Sequence, residues 1–342
     1  MDSASIIQIP IRDDQAPGNP VPTVRIVTIC LVLGLFALMP IYSSLSSQPT
    51  YVTLFSRIMI YALAALGLNL VLGYGAMVSF GHSLYMGIGA YAVGMLSANG
   101  ISSGFAHLGA ALAVGLCASI LIGLICLRTS GIAFIMITLA FSQMVYFLAV
   151  GLKNYGGDDG LPIPARSDFG ALDLSNNVVL YYVIFALLMA TLYGFYRLVH
   201  ARFGMVLRGS KANQARMAAL GFATVPYQLA AYVISALVCV IAGVLLANLT
   251  SFASPAYMQW SVSGELIAMV VLGGLNSLLG PIIGASVWLL LEELLTSVRF
   301  GLPWGLDDML HDHWMLVLGA VVVLVTLGLK QGLYGWLLED KQ

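Results

Sequence analysis

Few side chains in this 342-residue sequence could do chemistry, and their spacing argues against most reactions. His311-Asp312-His313 comes nearest to a metal-ligand cluster. With no Cys or further His beside it, it reads as an ordinary polar loop, and no metal site is expected. Cys30, Cys117, Cys126 and Cys239 all sit inside apolar runs with no CxxC pair, and read as small core hydrophobes. His82, set among small residues, reads as a packed, hydrogen-bonded imidazole. Glu265, Glu292 and Glu293 are carboxylates within apolar runs, where a proton relay would place its acids. Glu265 lies close to the start of its run and reads as interfacial and solvated. Glu292 and Glu293 fall in the last third of theirs, consistent with interfacial placement or a polar contact between subunits. No GxxxxGK[ST], GxSxG or HExxH sequence occurs, and Gly209-Ser210-Lys211 only brushes the first of these. Catalysis and nucleotide binding are therefore not expected in this chain.

The elements that hold these residues follow from composition. Hydrophobic residues make up 60% of the chain and charged residues 8%, against about 25% charged in a typical soluble domain. Mean hydropathy is +0.95 and the formal net charge is −1. These values exclude a soluble enzyme, a nucleic-acid binder and a disordered chain, and imply an all-α, polytopic transmembrane helical bundle. A spanning helix needs about 20 mostly apolar residues. The candidate runs are 24–42, 57–74, 78–98, 106–127, 131–151, 178–199, 225–250, 263–279, 280–298 and 313–329, about ten spans. The interrupted pair near 263–298 could be re-entrant. The run from Val24 to Tyr42 is long enough to span and lacks a convincing cleavage site, so it reads as a retained anchor.

The Lys and Arg distribution sets the orientation. With the N-terminus cytoplasmic, ten basic residues fall inside (Arg12, Arg25, Arg128, Arg197, Arg202, Arg208, Lys211, Arg216, Lys330 and Lys341) and four outside (Arg57, Lys153, Arg166 and Arg299). Both termini are then cytoplasmic: a tail over 1–23, a membrane domain over 24–329 and a second tail over 330–342. One inside loop, 200–224, holds four basic residues and no acid. Its Ala- and Met-rich stretch Ser210–Gly221, with Gly221 as a stop, predicts a short cytoplasmic helix. The loop either serves only to fix topology or, on the sharper reading, offers a docking surface for a soluble partner.

Helices in lipid associate through small residues that let backbones approach. Ala111, Gly115, Ser119 and Gly123 recur every four residues, so this stripe should meet another helix at short range. Gly73, Gly75, Gly81, Gly87 and Gly89 would weaken a plain helix and imply a break or a very tight crossing, with Asn69, Ser79 and His82 supplying polar groups. A third Gly-rich region, Gly273-Gly274-Leu275-Asn276 through Gly280-Pro281 to Gly284-Ala285, should turn or kink.

These motifs resemble those of a known family, the permease subunits of bacterial branched-chain amino acid ABC importers, specifically the M-type partner of the heterodimer. Its pattern, GLNL-x-x-GY-x-G-x-x-S-x-GH followed by GIGAY, is matched by Gly67-Leu68-Asn69-Leu70, Gly73-Tyr74, Ser79, Gly81-His82 and Gly87-Ile88-Gly89-Ala90-Tyr91. At Gly75-Ala76 the family usually carries its glycine one place later. Leu127–Gly131, Ile137-Thr138-Leu139-Ala140-Phe141 and Gly156-Gly157-Asp158-Asp159-Gly160-Leu161 continue the likeness. Phe203-Gly204 to Ala218-Ala219-Leu220-Gly221 is similar to the family's cytoplasmic coupling segment. Gly273-Gly274, Ser277, Gly280-Pro281 and Gly284-Ala285 match GG-x-x-S-x-x-GP-x-x-GA, with Asn276 in place of a common Gly.

The resemblance implies a permease with no cofactor of its own in the bacterial inner membrane. It would work with a second homologous permease, two ATP-binding cassette subunits that hold ATP and Mg, and a periplasmic solute-binding protein. It implies branched-chain or other hydrophobic amino acids as cargo, with urea, short amides and aromatic acids as alternatives. Family members often carry an acid near 213–214, where this chain has Asn213 and Gln214. Coupling to the ATPase is accordingly expected at Arg208, Lys211, Gln214, Arg216, Ala219, Leu220 and Gly221. The translocation pathway is expected at Asn69, Gly73, Ser79, Gly81, His82, Gly87, Gly89, Gly273, Gly274 and Asn276. An ion-coupled secondary transporter is the rival reading; it would need internal repeats and intramembrane carboxylates. A membrane enzyme is weaker still.

Overall fold

Where water is absent the backbone must close its own hydrogen bonds, so an apolar chain of this kind is driven into helices. The computed structural model describes residues 33–40, 42–43, 50–170, 174–297, 314–328 and 332–338. Residues 33–40 are helical. After them come α1 (Thr50–Asn69), α2 (His82–Ala98), α3 (Gly104–Cys126), α4 (Ile132–Gly151), α5 (Asn177–His200), α6 (Arg202–Ala212) and α7 (Gln214–Ala219). The chain continues through α8 (Thr224–Thr250), α9 (Trp260–Gly273), α10 (Gly280–Ser297), α11 (Trp314–Gly328) and α12 (Gly332–Leu338). A short antiparallel ladder, β1 (Leu161–Pro162) against β2 (Phe252–Ala253), is the one sheet among the described residues.

Five helical stretches among the described residues are long and apolar enough to cross a membrane: Thr50–Tyr74, α3, α4, α5 and α8. α9 and α11 are apolar but shorter. Most of the run 24–42, the tail 1–23, and His311, Asp312 and His313 lie outside the described residues.

The five long stretches divide into two kinds. In Thr50–Tyr74, 89% of the most apolar window is buried, and in α8 67%, against 22–28% for α3, α4 and α5. Thr50–Tyr74 and α8 are therefore the axis, and the other three present apolar faces outward, among them Phe105, Leu121, Met136 and Phe147.

Small residues allow the axis to pack. The stripe Ala111, Gly115, Ser119 and Gly123 is buried against α8, with Gly115 facing Val240 and Gly123 facing Leu229 and Tyr232. Gly89 lies on the Val240 carbonyl while Gly243 of α8 lies on the Met86 carbonyl, so α2 and α8 lack side chains at reciprocal points. Gly284 meets the Met269 carbonyl in the same way and draws α9 onto α10.

Successive helices reverse direction, so the connections collect at two ends. One end is tied down by the β1–β2 ladder, by Asp168 bridged to Ser103, and by Ser167, whose amide donates to Asn248 Oδ1 at 2.8 Å. His107 braces this end from below, 2.8 Å from Ser167 Oγ and 2.8 Å from the Ile101 carbonyl. Gly156, Gly157 and Gly160 turn the loop before β1 with φ of 88°, 53° and 80°. The opposite end gathers residues 70–81, 127–131, 200–224 and 274–279.

The reciprocal contact of α2 and α8 is directly testable. Gly89→Leu should lower thermal stability in detergent by about 2 kcal/mol or more, because the Val240 carbonyl occupies the space the side chain needs. Gly194→Leu on α5, which meets nothing within 4 Å, should leave the unfolding midpoint unchanged.

Candidate functional site

At the second end two helices break. The helix of α1 widens into a π turn over Leu70–Tyr74, and residues 75–81 then run without regular structure to α2. α9 stops at Gly273, and 274–279 form a tight connection to α10. Ser277 closes that connection: its hydroxyl donates to the Gly274 carbonyl at 2.8 Å and accepts from the Gly280 amide at 3.0 Å.

The two breaks satisfy one another. Asn69 Nδ2 donates to the Ser277 carbonyl at 2.8 Å, and the Tyr74 hydroxyl donates to the Asn276 carbonyl at 2.9 Å. Gly73 has no room for a side chain, because a Cβ there would strike Asn69 Oδ1 and approach the Asn276 amide to 3.1 Å. Gly332, at the start of α12, packs on the backbone of Gly274.

Each break also holds a non-glycine residue in the left-handed region, Ala76 at φ 53° and Asn276 at φ 65°. These are the two places where the family pattern usually carries Gly. Asn tolerates this conformation far better than Ala does. Asn276 also brings a side chain that a glycine would not.

Lys211 uses that side chain. Its Nζ donates to Asn276 Oδ1 at 2.8 Å and to the Gly73 carbonyl at 2.7 Å, so one ammonium from α6 touches both breaks. Desolvation at this position holds the lysine below its ordinary pKa. Clefts of about 620 and 400 Å³ flank the junction. The larger contains Tyr74, Arg208, Asn276 and Tyr334, the smaller Ala76, Arg128, Lys211 and Gln214.

The residues expected along a pathway therefore separate into two groups. Asn69, Gly73, Gly273, Gly274 and Asn276 meet at the junction. Ser79, Gly81, His82, Gly87 and Gly89 lie instead in the packing of α2 against α4, α8 and the turn Pro255–Met258. Gly81 sits on the Thr138 carbonyl, and Gly87 on Met258. His82 is fully buried, with Nδ1 3.0 Å from Ser79 Oγ and Nε2 2.9 Å from Ser235 Oγ. Because Ser235 donates to the Gly67 carbonyl at 2.6 Å, it accepts from Nε2–H, and the imidazole serves as a cross-brace between α2 and α8. A neighbouring hydroxyl cluster of Ser83, Ser142 and Ser263 ends on the Met258 carbonyl.

Of the residues expected to couple, Lys211 alone reaches the junction. Arg208 folds back onto the Gly204 and Val199 carbonyls at the end of α5. Gln214 Nε2 donates to Thr224 Oγ1 at 3.2 Å. Arg216, Ala219, Leu220 and Gly221 are exposed. The single helix expected over Ser210–Gly221 is instead divided between α6 and α7, because Asn213 adopts an extended conformation and its Oδ1 caps the Arg216 amide. The predicted stop holds: Gly221 takes φ 86°, its amide bonds to the Ala218 carbonyl, and the Phe222 amide reaches back to Met217.

The carboxylates are partly accounted for within the chain. Glu292 pairs with Arg57 of α1 at 3.0 Å, a partner within the chain itself. Arg57 also lies over the Tyr61 ring at 5.7 Å. Counting charges by loop could not reveal this pair, because its members are 235 residues apart. Glu293 accepts from Ser297 Oγ at 2.8 Å. Among the described residues no group of three or more His, Cys, Asp or Glu could hold a metal.

Fold and site together define a multi-pass helical membrane protein organised around broken helices, with no catalytic constellation among the described residues. Residues 50–326 match the family described as branched-chain amino acid transport system / permease component, and the chain belongs to that family. It is 27% identical over 299 residues to the high-affinity branched-chain amino acid transport system permease protein LivM of Salmonella typhimurium and to that of Escherichia coli. Each alignment covers 80% of this chain and 68% of the relative. A probable branched-chain amino acid transport permease protein LivM of Methanocaldococcus jannaschii is 24% identical over 311 residues, covering 80% and 90% of the two chains. No solved structure matches the chain.

The strained residue of the first break provides a test. Ala76→Gly should stabilise the purified protein by about 1 kcal/mol, since glycine adopts the left-handed conformation without a Cβ clash. An upward shift in the detergent unfolding midpoint would register it.

Proposed function

We propose that this chain is the membrane-embedded permease subunit of an ATP-driven importer that carries branched-chain or other hydrophobic amino acids into the cytoplasm. Cargo of this kind is what the names of the three relatives state for those proteins. In this reading the protein spans the bacterial inner membrane about ten times with both termini cytoplasmic. It pairs with a second, homologous permease, and two ATP-binding subunits hydrolyse the nucleotide. A periplasmic binding protein delivers the solute to the end that carries the β1–β2 ladder.

The observation that carries the reading is the form of α6–α7. Leu220 and Phe222, in the link after α7, and Val225, at the start of α8, are exposed, as is Arg216, so the tip of the segment 200–224 is apolar and carries a base. Exposed apolar residues grouped in this way suit contact with a soluble subunit. The base of the same segment is bonded to both helix breaks through Lys211. A push on the tip therefore reaches the part of the bundle with the least regular backbone. The chain does no chemistry. It has two arrangements, and binding of the closed ATPase to one of them shifts the population.

Combined substitution of Gln214 and Arg216 by Ala and of Gly221 by Val should abolish transport-stimulated ATP hydrolysis in proteoliposomes while membrane insertion persists. Stimulation equal to wild type would refute the assignment of the tip. Solute accumulation by the isolated chain, driven by an ion gradient and without any ATPase, would refute the importer itself.

A further inference from the structure

The junction has the properties of an element with two states. It combines a π turn, two non-glycine residues in the left-handed region and a buried amide oxygen, Asn69 Oδ1, that finds no hydrogen-bond partner. Each of these raises the energy of the arrangement, and such features persist only where surrounding contacts hold them. The contact that spans both breaks and comes from outside them is Lys211. Its ammonium is bonded to neutral oxygens only, with no carboxylate partner among the described residues. Lys211 is itself exposed, so these charge-assisted bonds are held in competition with water and can be exchanged for it.

We propose that Lys211 is a latch: its bonds to Gly73 and Asn276 hold the two helix breaks together, and a movement of α6–α7 that withdraws the ammonium lets the breaks separate. The second acceptor of the latch is the side chain of Asn276, which also holds its backbone in the left-handed region. Lys211 is a positioning residue in this scheme and touches no solute. The role in transport rests on the reading of α6–α7 as the segment that receives the ATPase stroke; the mechanical contact does not.

The test begins with the full chain alone in lipid nanodiscs, by hydrogen exchange. Lys211→Met, which keeps the length of the side chain and removes its donors, should speed amide exchange at least tenfold over 70–77 and 274–280 while leaving the cores of α3 and α8 unchanged. Lys211→Arg should restore most of the protection. Asn276→Asp replaces a neutral acceptor with a carboxylate and should slow exchange below wild type, an effect that high salt removes. Should Lys211→Met fail to fold, Asn276→Gly keeps the lysine, relieves the backbone and deletes one acceptor, and should still accelerate exchange over 274–280. Exchange at both breaks equal to wild type in Lys211→Met, or in Asn276→Gly where only that variant folds, overturns the latch.

The second arm reconstitutes the complex with its partner subunits and radiolabelled leucine. Lys211→Met should raise the ATP hydrolysed per leucine at least tenfold with the complex still assembled, and Asn276→Asp should slow uptake without changing that ratio. Loosened breaks with an unchanged ratio would overturn the latch as a coupling device. A wild-type complex that shows neither leucine uptake nor stimulated hydrolysis would count against the functional reading, leaving the exchange experiment to decide the latch.

Discussion

A helix interrupted in an apolar bundle frees amides and carbonyls that need other partners, and the second end of this molecule is arranged around that constraint. α1 ends in a π turn whose Gly73 carbonyl is left over, and the connection after α9 exposes the carbonyls of Asn276 and Ser277. Each break supplies what the other lacks. Asn69 and Tyr74 donate to the second break, and Lys211 reaches in from outside the pair to take the Gly73 carbonyl. The two breaks are bonded directly to one another and form one structural unit.

The rest of the bundle keeps that unit in register. The axis of α1 and α8 is packed through glycines that lie on carbonyls, and such contacts leave no slack for rotation about the helix axes. His82 and the hydroxyls around it crosslink α2 to α8 without lining either cleft. The first end is closed by the β1–β2 ladder and by His107. One end is therefore stapled by long-range bonds, while the other holds two broken helices under a basic segment. That asymmetry suits a protein in which motion is applied at one face.

Much of this was legible beforehand, for identifiable reasons. Close helix contact in lipid demands residues without side chains, so Gly115, Gly123 and the cluster from Gly73 to Gly89 announce crossings and a break wherever the chain folds. Gly221 announces a helix end because its conformation is local. The apolar runs and helices agree in most places because hydropathy acts over each segment separately. The division of 200–224 at Asn213 was missed, since a side chain that caps the following turn competes with helix propensity and wins only in its context.

What the sequence by itself determined was the class of the molecule: apolar helices, small-residue seams, basic segments gathered between them, and no residues placed for catalysis. These follow from composition and from spacing within a few turns. Only the tertiary structure decided which polar residues share a site. It separated His82 from Asn276, paired Arg57 with Glu292, and brought Lys211 to Gly73 across 138 residues of chain. Pairings of that kind depend on which helix lies beside which, and that is settled by the packing of the whole bundle at once, where no local pattern records it.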